Sequence, residues 1–287
     1  MELGRVGIWW SGSWRGPEGA DAAAEMESLG YGALWASGGY EPGLARWFTR
    51  LLETTSRVAV LSGIVSIWCN EPGPLAAEAT DLDERFPGRF NLGLGASHAA
   101  LVEPSGQPYV RPLSRLAAFL DALDALDAPA LSPARRLLAA LGPRMLELAA
   151  RRSAGAHPYF VPVEHTAVAR ERLGSGPLLA PELAVVLERD PQTAREIARR
   201  YTAGYLSLPN YANNLRRLGF GEDDLAGGGT DRLVDAVVAW GDDAAIAARV
   251  AEHHAAGADH VCVQVLVDDL RAFPLAQYRA LAPALVG

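Results

Sequence analysis

Short apolar runs alternate with longer amphipathic stretches along the chain, the pattern of strands that alternate with helices. The run at residues 58–67 (VAVLSGIVSI) is apolar almost throughout, as expected for a strand buried on both faces. Strands are predicted at Val6–Trp10, Ala33–Ala36, 58–67, Phe90–Gly95, 136–141, 156–161, 178–187 and 260–267. Helices are predicted at 18–29, Leu44–Thr54, 74–86, 113–126, 143–153, 164–173, from residue 191, 232–240, 244–256 and at the end of the chain.

Eight strands that alternate with helices predict an α/β fold, because strict alternation implies parallel strands joined by right-handed crossovers. We expect one domain over residues 1–287, folded as a (β/α)8 TIM barrel. Residues 206–229 end in the turn-rich sequence GFGEDDLAGGG and fit no βα unit, so a late insertion or lid is predicted there. A doubly wound open sheet is the alternative, but no GxGxxG motif follows the first strand.

The composition indicates a globular protein that handles a small molecule. Of its 287 residues 49% are hydrophobic, and the net charge of -8 argues against a nucleic acid or an anionic membrane as partner. The first residues lack the features of a signal peptide, and no apolar run approaches the length of a spanning helix. Cys69 and Cys262 are isolated thiols. We therefore expect a cytoplasmic protein with a small-molecule substrate.

The absence of lysine excludes several chemistries. All 26 basic residues are arginine. Schiff-base aldolases, pyridoxal phosphate enzymes and P-loop phosphate sites all need a lysine amine.

In an α/β barrel the functional groups lie where strands end and loops begin. Glu182 is the only carboxylate close to such a position, so the paired carboxylates of a glycosidase are not expected. The six histidines fit no metal-ligand spacing, and no metal is predicted.

The strand ends carry glycine, small polar and aromatic residues instead. Gly93 and Gly95 allow a flat ring or a phosphate to approach the backbone, or they relieve crowding inside a barrel. The pair Trp9-Trp10, with Trp68, offers an apolar wall to an aromatic ligand, although core packing is the commoner use of such tryptophans. Two loops, at residues 103–112 and 206–229, are the candidates for substrate specificity.

Several blocks of the sequence resemble the luciferase-like flavin and deazaflavin oxidoreductases. They lie in the family's order over nearly the whole chain, and the first resembles the family signature GRFxLGLG. Within the family, the chain is most similar to the branch that depends on coenzyme F420, an 8-hydroxy-5-deazaflavin. The matching blocks are 86–95 (FPGRFNLGLG), 140–149 (ALGPRMLELA), 154–157 (AGAH), 240–243 (WGDD), 246–250 (IAARV) and 256–260 (AGADH).

This resemblance implies a fold and a reaction. The fold is a (β/α)8 barrel with a late insertion, which forms a homodimer. The reduced deazaflavin delivers a hydride from its C5 to a small organic substrate, or accepts one in the reverse direction. The coenzyme carries this chemistry, while the protein supplies orientation and electrostatics.

The resemblance also implies which residues bind the coenzyme. In the family, a bulge with a non-proline cis peptide ends the third strand and supports the ring. The matching stretch is 63–67, and the cis bond is expected at Val65-Ser66 or Ser66-Ile67. The coenzyme phosphate is expected at residues 155–157, where backbone N–H groups suit an anion. The predicted cofactor-binding residues are Trp9, Ser37, Val65, Ser66, Ile67, Gly95, Ala96, Ser97, Gly155, Ala156 and His157.

Two positions depart from the family pattern. Several relatives carry a histidine at the end of the second strand and a glutamate after the fourth, where this chain has Ser37 and Ser97-His98. His98 is then the best candidate for a catalytic proton donor, because the pKa of an ordinary histidine lies near neutrality. A structural histidine that bonds loop carbonyls is the alternative.

Two other functions remain open at this point. The same barrel with FMN in place of coenzyme F420 is a monooxygenase that activates oxygen. A barrel without activity that serves as a binding or scaffold protein is consistent with the few acid and base groups at the strand ends.

Overall fold

The computed structural model describes residues 1–11, 14, 17–37 and 43–287 of the chain. It confirms the predicted α/β architecture, in which a curled parallel sheet is surrounded by helices. The strands are β1 (Val6–Trp10), β2 (Ala33–Ala36), β3 (Ala59–Ser62), β4 (Val65–Ser66), β5 (Phe90–Gly95), β6 (Arg136–Leu138), β7 (Gly155–Ala156), β8 (Leu178–Leu179), β9 (Glu182–Val186), β10 (Val238–Trp240) and β11 (Val261–Val265). The helices are α1 (Pro17–Leu29), α2 (Leu44–Thr54), α3 (Pro72–Arg85), α4 (Ala99–Val102), α5 (Pro112–Asp124), α6 (Pro143–Arg152), α7 (Val163–Leu173), α8 (Pro191–Leu206), α9 (Pro209–Arg217), α10 (Glu222–Leu225), α11 (Asp231–Val237), α12 (Asp243–Ala255) and α13 (Leu275–Leu285).

The barrel closes through an interrupted strand. β8 pairs with β7, where Gly155 lies opposite Leu178, and β9 pairs with β11, where Cys262 lies opposite Glu182. β11 in turn pairs with β1. The segment that contains β8 and β9 therefore acts as the seventh barrel strand, with its break at Ala180-Pro181.

The third barrel strand is also divided. β3 pairs with the first half of β5, and β4 pairs with its second half, with Val65 opposite Leu94. The cis peptide bond joins Gly63 to Ile64, between the two halves. The predicted position at Val65-Ser66 or Ser66-Ile67 was wrong, because those residues are held in regular pairing with β5.

The late insertion is helical. After α8 the chain forms α9 and α10 before it returns through α11. The helix predicted at residues 232–240 was wrong in its second half, where Val238–Trp240 forms β10. β10 pairs with β9, with Val238 opposite Ala184, so the edge of β9 that is not used by β11 recruits these apolar residues into the sheet.

Alternation along β1 sends successive side chains to different parts of the core. Ile8 and Trp10 pack in a cluster with Met26 of α1. Trp9 packs in a second cluster with Trp35. This arrangement places Trp9 on the wall of the cavity described below. Of the helices in the described part of the chain, none is long and apolar enough to cross a membrane.

Candidate functional site

A cavity of about 530 Å³ opens at the carboxyl ends of the barrel strands. This volume is in the range of small-molecule and cofactor sites. One part of its wall comes from strand ends, at Trp9, Ser37, Gly63, Ile64, Ala96, Ser97, His98, 139–142, His157 and Tyr159. The other part comes from the two loops predicted to govern specificity and from the helices next to them, at Leu101, Tyr109, Pro112, Met145, Tyr205, Leu208, Asn210, Tyr211, Asn213 and Arg217. None of these lining residues is a carboxylate.

The structure brings half of the predicted site residues together around this cavity. Trp9, Ser37, Ala96, Ser97, His98 and His157 line it. The other predicted residues lie outside its lining, and their contacts with a coenzyme stay predictions. These are Val65, Ser66, Ile67, Gly95, Gly155 and Ala156.

Gly95 supports the cavity wall from behind. A Cβ at this position would lie 2.9 Å from Ile64 Cδ1 and 3.0 Å from the Cβ of Ala139. Both neighbours line the cavity. The absence of a side chain at Gly95 therefore lets Ile64 pack against β5, which is the crowding role considered for this glycine.

Two backbone N–H groups of the predicted phosphate site at residues 155–157 have partners inside the protein. The Gly155 N–H donates to Ser153 Oγ at 3.2 Å, and the His157 N–H donates to the Leu138 carbonyl at 2.9 Å. These two donors are therefore engaged in this structure, and the contact of residues 155–157 with a phosphate stays a prediction.

His157 is a buried, neutral imidazole at the end of β7. Its Nδ1 lies 2.7 Å from the Ala180 carbonyl, so Nδ1 carries the proton and donates it. The ring stacks on Trp35 at 4.1 Å between centroids and on Trp9 at 6.0 Å. Burial lowers the pKa of His157 to about 4. Its Nε2 is a buried acceptor without a partner among the described residues.

His98 occupies the loop after β5 and faces the insertion. Its Nδ1 donates to Asn210 Oδ1 at 2.7 Å, and its ring lies against Tyr211 at 5.0 Å between centroids. Burial lowers the pKa of His98, and the bond to Asn210 offsets this only in part. The ring is therefore neutral at pH 7, with Nε2 as an acceptor. A neutral ring of this kind favours taking up a proton over the predicted role of donating one.

Ser97 adds a polar atom to the same wall. Its backbone has a φ of 57°, a left-handed conformation that is uncommon for residues other than glycine. Tyr109 Oη donates to its carbonyl at 3.0 Å, while its Oγ is buried without a partner among the described residues. Ser97 and His157 both line the cavity, and each has one buried polar atom without a hydrogen-bond partner among the described residues. Buried polar atoms of this kind usually have a partner once a site holds its ligand.

Tyrosines that the sequence reasoning missed form a further side of the cavity. Tyr159 Oη lies 2.8 Å from Tyr205 Oη and donates to Gln264 Oε1 at 2.6 Å. Tyr205 and Tyr211 lie on α8 and α9, and the sequence pattern of these helices shows no connection with the strand ends. The sequence pointed to these tyrosines only through their position in or beside residues 206–229, one of the two loops predicted to govern specificity.

Glu182, the carboxylate predicted near a strand end, is the first residue of β9 and is buried behind these tyrosines. Its Oε2 accepts from the Phe160 N–H at 3.1 Å, and its Oε1 accepts from Tyr201 Oη at 3.2 Å. Burial raises the pKa of Glu182 to about 8, against the opposing effect of both hydrogen bonds. The carboxyl is therefore protonated at pH 7 and does not line the cavity.

Several solved structures have the same fold as this chain. An F420-dependent secondary alcohol dehydrogenase in complex with an F420-acetone adduct is 14% identical, with a TM-score of 0.76 over 98% of this chain and 99% of that one. The coenzyme F420 dependent tetrahydromethanopterin reductase from Methanopyrus kandleri is 16% identical, with a TM-score of 0.76 over 100% and 98%. The oxygenating constituent of 3,6-diketocamphane monooxygenase from Pseudomonas putida, in complex with FMN, is 14% identical, with a TM-score of 0.68 over 98% and 97%. At these identities the likeness establishes the fold. No curated protein matches the chain in sequence.

The family assignment rests on the sequence. The family model for luciferase-like monooxygenases matches residues 15–260, which is most of the chain. The matched range includes the strand ends that carry His98 and His157. The chain therefore belongs to the luciferase-like monooxygenase family, as its sequence blocks had indicated.

Proposed function

We propose that this protein is an oxidoreductase that binds coenzyme F420 in the cavity and transfers a hydride between the deazaflavin C5 and a small organic substrate. The observation that carries the proposal is the cavity itself, which lies at the strand ends and, as far as the structure describes its lining, contains unsatisfied polar atoms but no carboxylate. The TM-score of this chain is 0.76 with each of two F420-dependent enzymes and 0.68 with the FMN-bound monooxygenase. This difference supports the choice of coenzyme.

The residues present fit a flat heterocyclic ring. Trp9, Ile64 and Ala96 offer apolar surface, and Ser97 Oγ and His157 Nε2 offer polar atoms without protein partners. A bound deazaflavin supplies hydride transfer at a ring carbon. The chain's own residues position the ring, exclude water from its face and exchange the proton that accompanies the hydride.

His98 is the residue that we assign to proton exchange. Since Nδ1 donates to Asn210, Nε2 is left to accept a proton from a substrate hydroxyl when the hydride leaves the adjacent carbon. Asn210 fixes the ring's orientation and tautomer. In the reverse reaction the protonated ring returns that proton to the carbonyl oxygen of the product.

The pKa of His98 is open to direct measurement. Because burial lowers it, we expect His98 to titrate below 6.5, the ordinary value. Since the bond to Asn210 acts in the opposite direction, Asn210→Ala is expected to lower the pKa of His98 further. NMR titration of the histidine side chains measures both values, with His98→Gln to assign the signal. A pKa at or above 6.5 in the wild type would contradict the lowering by burial from which the neutral ring is inferred.

Coenzyme binding tests the proposed function. We expect coenzyme F420 to quench the protein's tryptophan fluorescence with a dissociation constant in the micromolar range or below, because Trp9 lines the cavity. Ala96→Phe narrows the cavity and is expected to weaken binding at least about 10-fold, a cost of about 1.4 kcal/mol. Ala77→Phe is the control, since Ala77 is exposed on α3.

FMN provides the comparison that separates the candidate functions. Tight binding of FMN without affinity for F420 would replace the proposal with a flavin monooxygenase, which the FMN complex of the Pseudomonas relative supports as the second candidate. Failure of both coenzymes to bind would leave the scaffold function.

A further inference from the structure

One face of α9 is directed to the cavity. Asn210, Asn213 and Arg217 follow each other at intervals of three and four residues, so they share one side of the helix, and all three line the cavity. Leu215 is buried in the core cluster on another side, while Tyr211 belongs to the core cluster and also lines the cavity. This packing fixes the orientation of the helix and holds the polar side toward the cavity.

Arg217 differs from its neighbour Arg216 in its partners. Arg216 forms two bonds to the carboxylate of Glu222, at 2.6 and 2.8 Å. Arg217 donates to the neutral side chain of Asn214 at 3.2 Å. Within the described part of the chain, no carboxylate lies within ion-pair distance of Arg217. The positive charge at this edge of the cavity therefore has no neutralising carboxylate among the residues that the structure describes.

The first turn of α6 adds to the positive potential at the same edge. A Cβ built on Gly142 would lie 3.7 Å from Arg217 Nη2, so the guanidinium lies above the N-cap of this helix. Gly142 and Met145 also line the cavity. A helix N-terminus favours a nearby negative charge, because its first N–H groups have no partners within the helix and the positive end of the helix dipole lies there.

We propose that Arg217, with Asn213 and the first turn of α6, binds the anionic group of the cavity ligand, a phosphate ester or a carboxylate. Two further observations point to a ligand in this cavity: His157 is almost fully buried with Nε2 unpartnered, and Ser97 Oγ is likewise unsatisfied. The inference rests on the proposed function in that it assumes a coenzyme or substrate in this cavity. It assigns the anion to a site other than the N–H groups of Gly155 and His157, which already have acceptors.

Pairs of ligands with and without phosphate test this assignment. FMN is compared with riboflavin, and coenzyme F420 with its phosphate-free deazariboflavin core, by fluorescence quenching. We expect the wild type to prefer the phosphate form about 10-fold or more, because bonds to a charged group contribute about 1.5–3 kcal/mol. Arg217→Met is expected to remove most of this preference. Arg216→Met is the matched control and is expected to retain it, since Arg216 is engaged by Glu222.

Inorganic phosphate separates the two sources of the anion. If the phosphate-free and phosphate forms bind equally, but phosphate raises the melting temperature of the wild type and not of Arg217→Met, the site serves an anionic substrate. If neither preference nor stabilisation depends on Arg217, the inference is overturned. If no coenzyme binds to the wild type, the proposed function fails, and the phosphate arm still decides whether Arg217 binds anions. Because Arg217 is exposed, its replacement leaves the folded state available for both measurements.

Discussion

Replacing Glu182 with glutamine is expected to remove much of the loss of stability that the protein undergoes as the pH rises from about 4.5 to about 8. Burial raises the pKa of Glu182 from 4.5 to about 8 in the folded state. The folded protein therefore keeps a proton there that the unfolded chain releases from about pH 4.5 upward. The stability contributed by this proton is complete below the unfolded pKa and is lost as the pH rises through the folded pKa.

The size of the effect follows from the pKa shift. Each pKa unit corresponds to about 1.4 kcal/mol, so the wild type is expected to lose up to about 5 kcal/mol between about pH 4.5 and pH 8 through this group. Glutamine stays neutral and occupies a similar volume. The free energy of unfolding of Glu182→Gln, measured in urea, is expected to approach or exceed that of the wild type at about pH 9 and to be lower or equal at about pH 5.

The titratable neighbours of Glu182 do not change the free energy of unfolding over this pH range. Tyr159, Tyr201, Cys262 and Tyr278 all interact electrostatically with Glu182, and burial raises the pKa of each of them well above its usual value. These groups are therefore neutral over the same pH range. Glu188→Gln is the control, since its partly exposed carboxylate bonds the Asp190 N–H near the surface. Parallel stability curves for Glu182→Gln and the wild type would show that the carboxyl is ionised when folded.

Gly93→Ala is expected to prevent stable folding. A Cβ at this position would lie 1.9 Å from the Ser62 carbonyl oxygen on β3. The two strands cannot separate to relieve the overlap, because Ser62 Oγ accepts from the Gly93 N–H at 2.8 Å and donates to the Gly93 carbonyl at 2.9 Å. We expect a loss of at least about 4 kcal/mol in unfolding free energy, the range of severe core disruptions, or an insoluble product.

Gly204→Ala provides a control of opposite sign. Nothing lies within 4 Å of a Cβ built on this glycine of α8, and alanine is favoured over glycine in a helix by up to about 1 kcal/mol. Thermal unfolding of the two variants makes the comparison. If Gly93→Ala folded as stably as the wild type and lost only ligand affinity, Gly93 would be a ligand-contact residue instead of a packing residue.

The barrel could be predicted because its signal is local. The spacing of apolar residues within each segment indicates whether that segment is a strand or a helix. Because parallel strands are joined by crossover helices, the alternation of strands and helices then predicts the topology. The errors occurred where pairing partners decide the structure. Val238–Trp240 fits the end of a helix as well as a strand, and only its position beside β9 makes it β10.

The candidate site was predictable to the extent that it follows strand ends. Trp9, Ser37 and His98 could be identified in this way, since the carboxyl ends of all barrel strands meet on one face. The contact between His98 and Asn210 joins residues 112 positions apart, and no local sequence pattern predicts it. Likewise, the sequence does not show that the N–H group of Gly155 in the predicted phosphate site already has an acceptor.

The insertion begins and ends at points that the barrel holds close together. Arg199 Nε, near the end of α8, donates to the Gly229 carbonyl at 3.2 Å, and Thr202 Oγ1 bonds the Gly228 carbonyl. The chain then returns to the sheet as β10. Residues 206–229 therefore leave the barrel and return to it at one place, so a change in their length or side chains is expected to leave the strand order intact. Because Leu208, Asn210 and Arg217 of this segment line the cavity, such a change would alter the ligand-binding wall and not the strands.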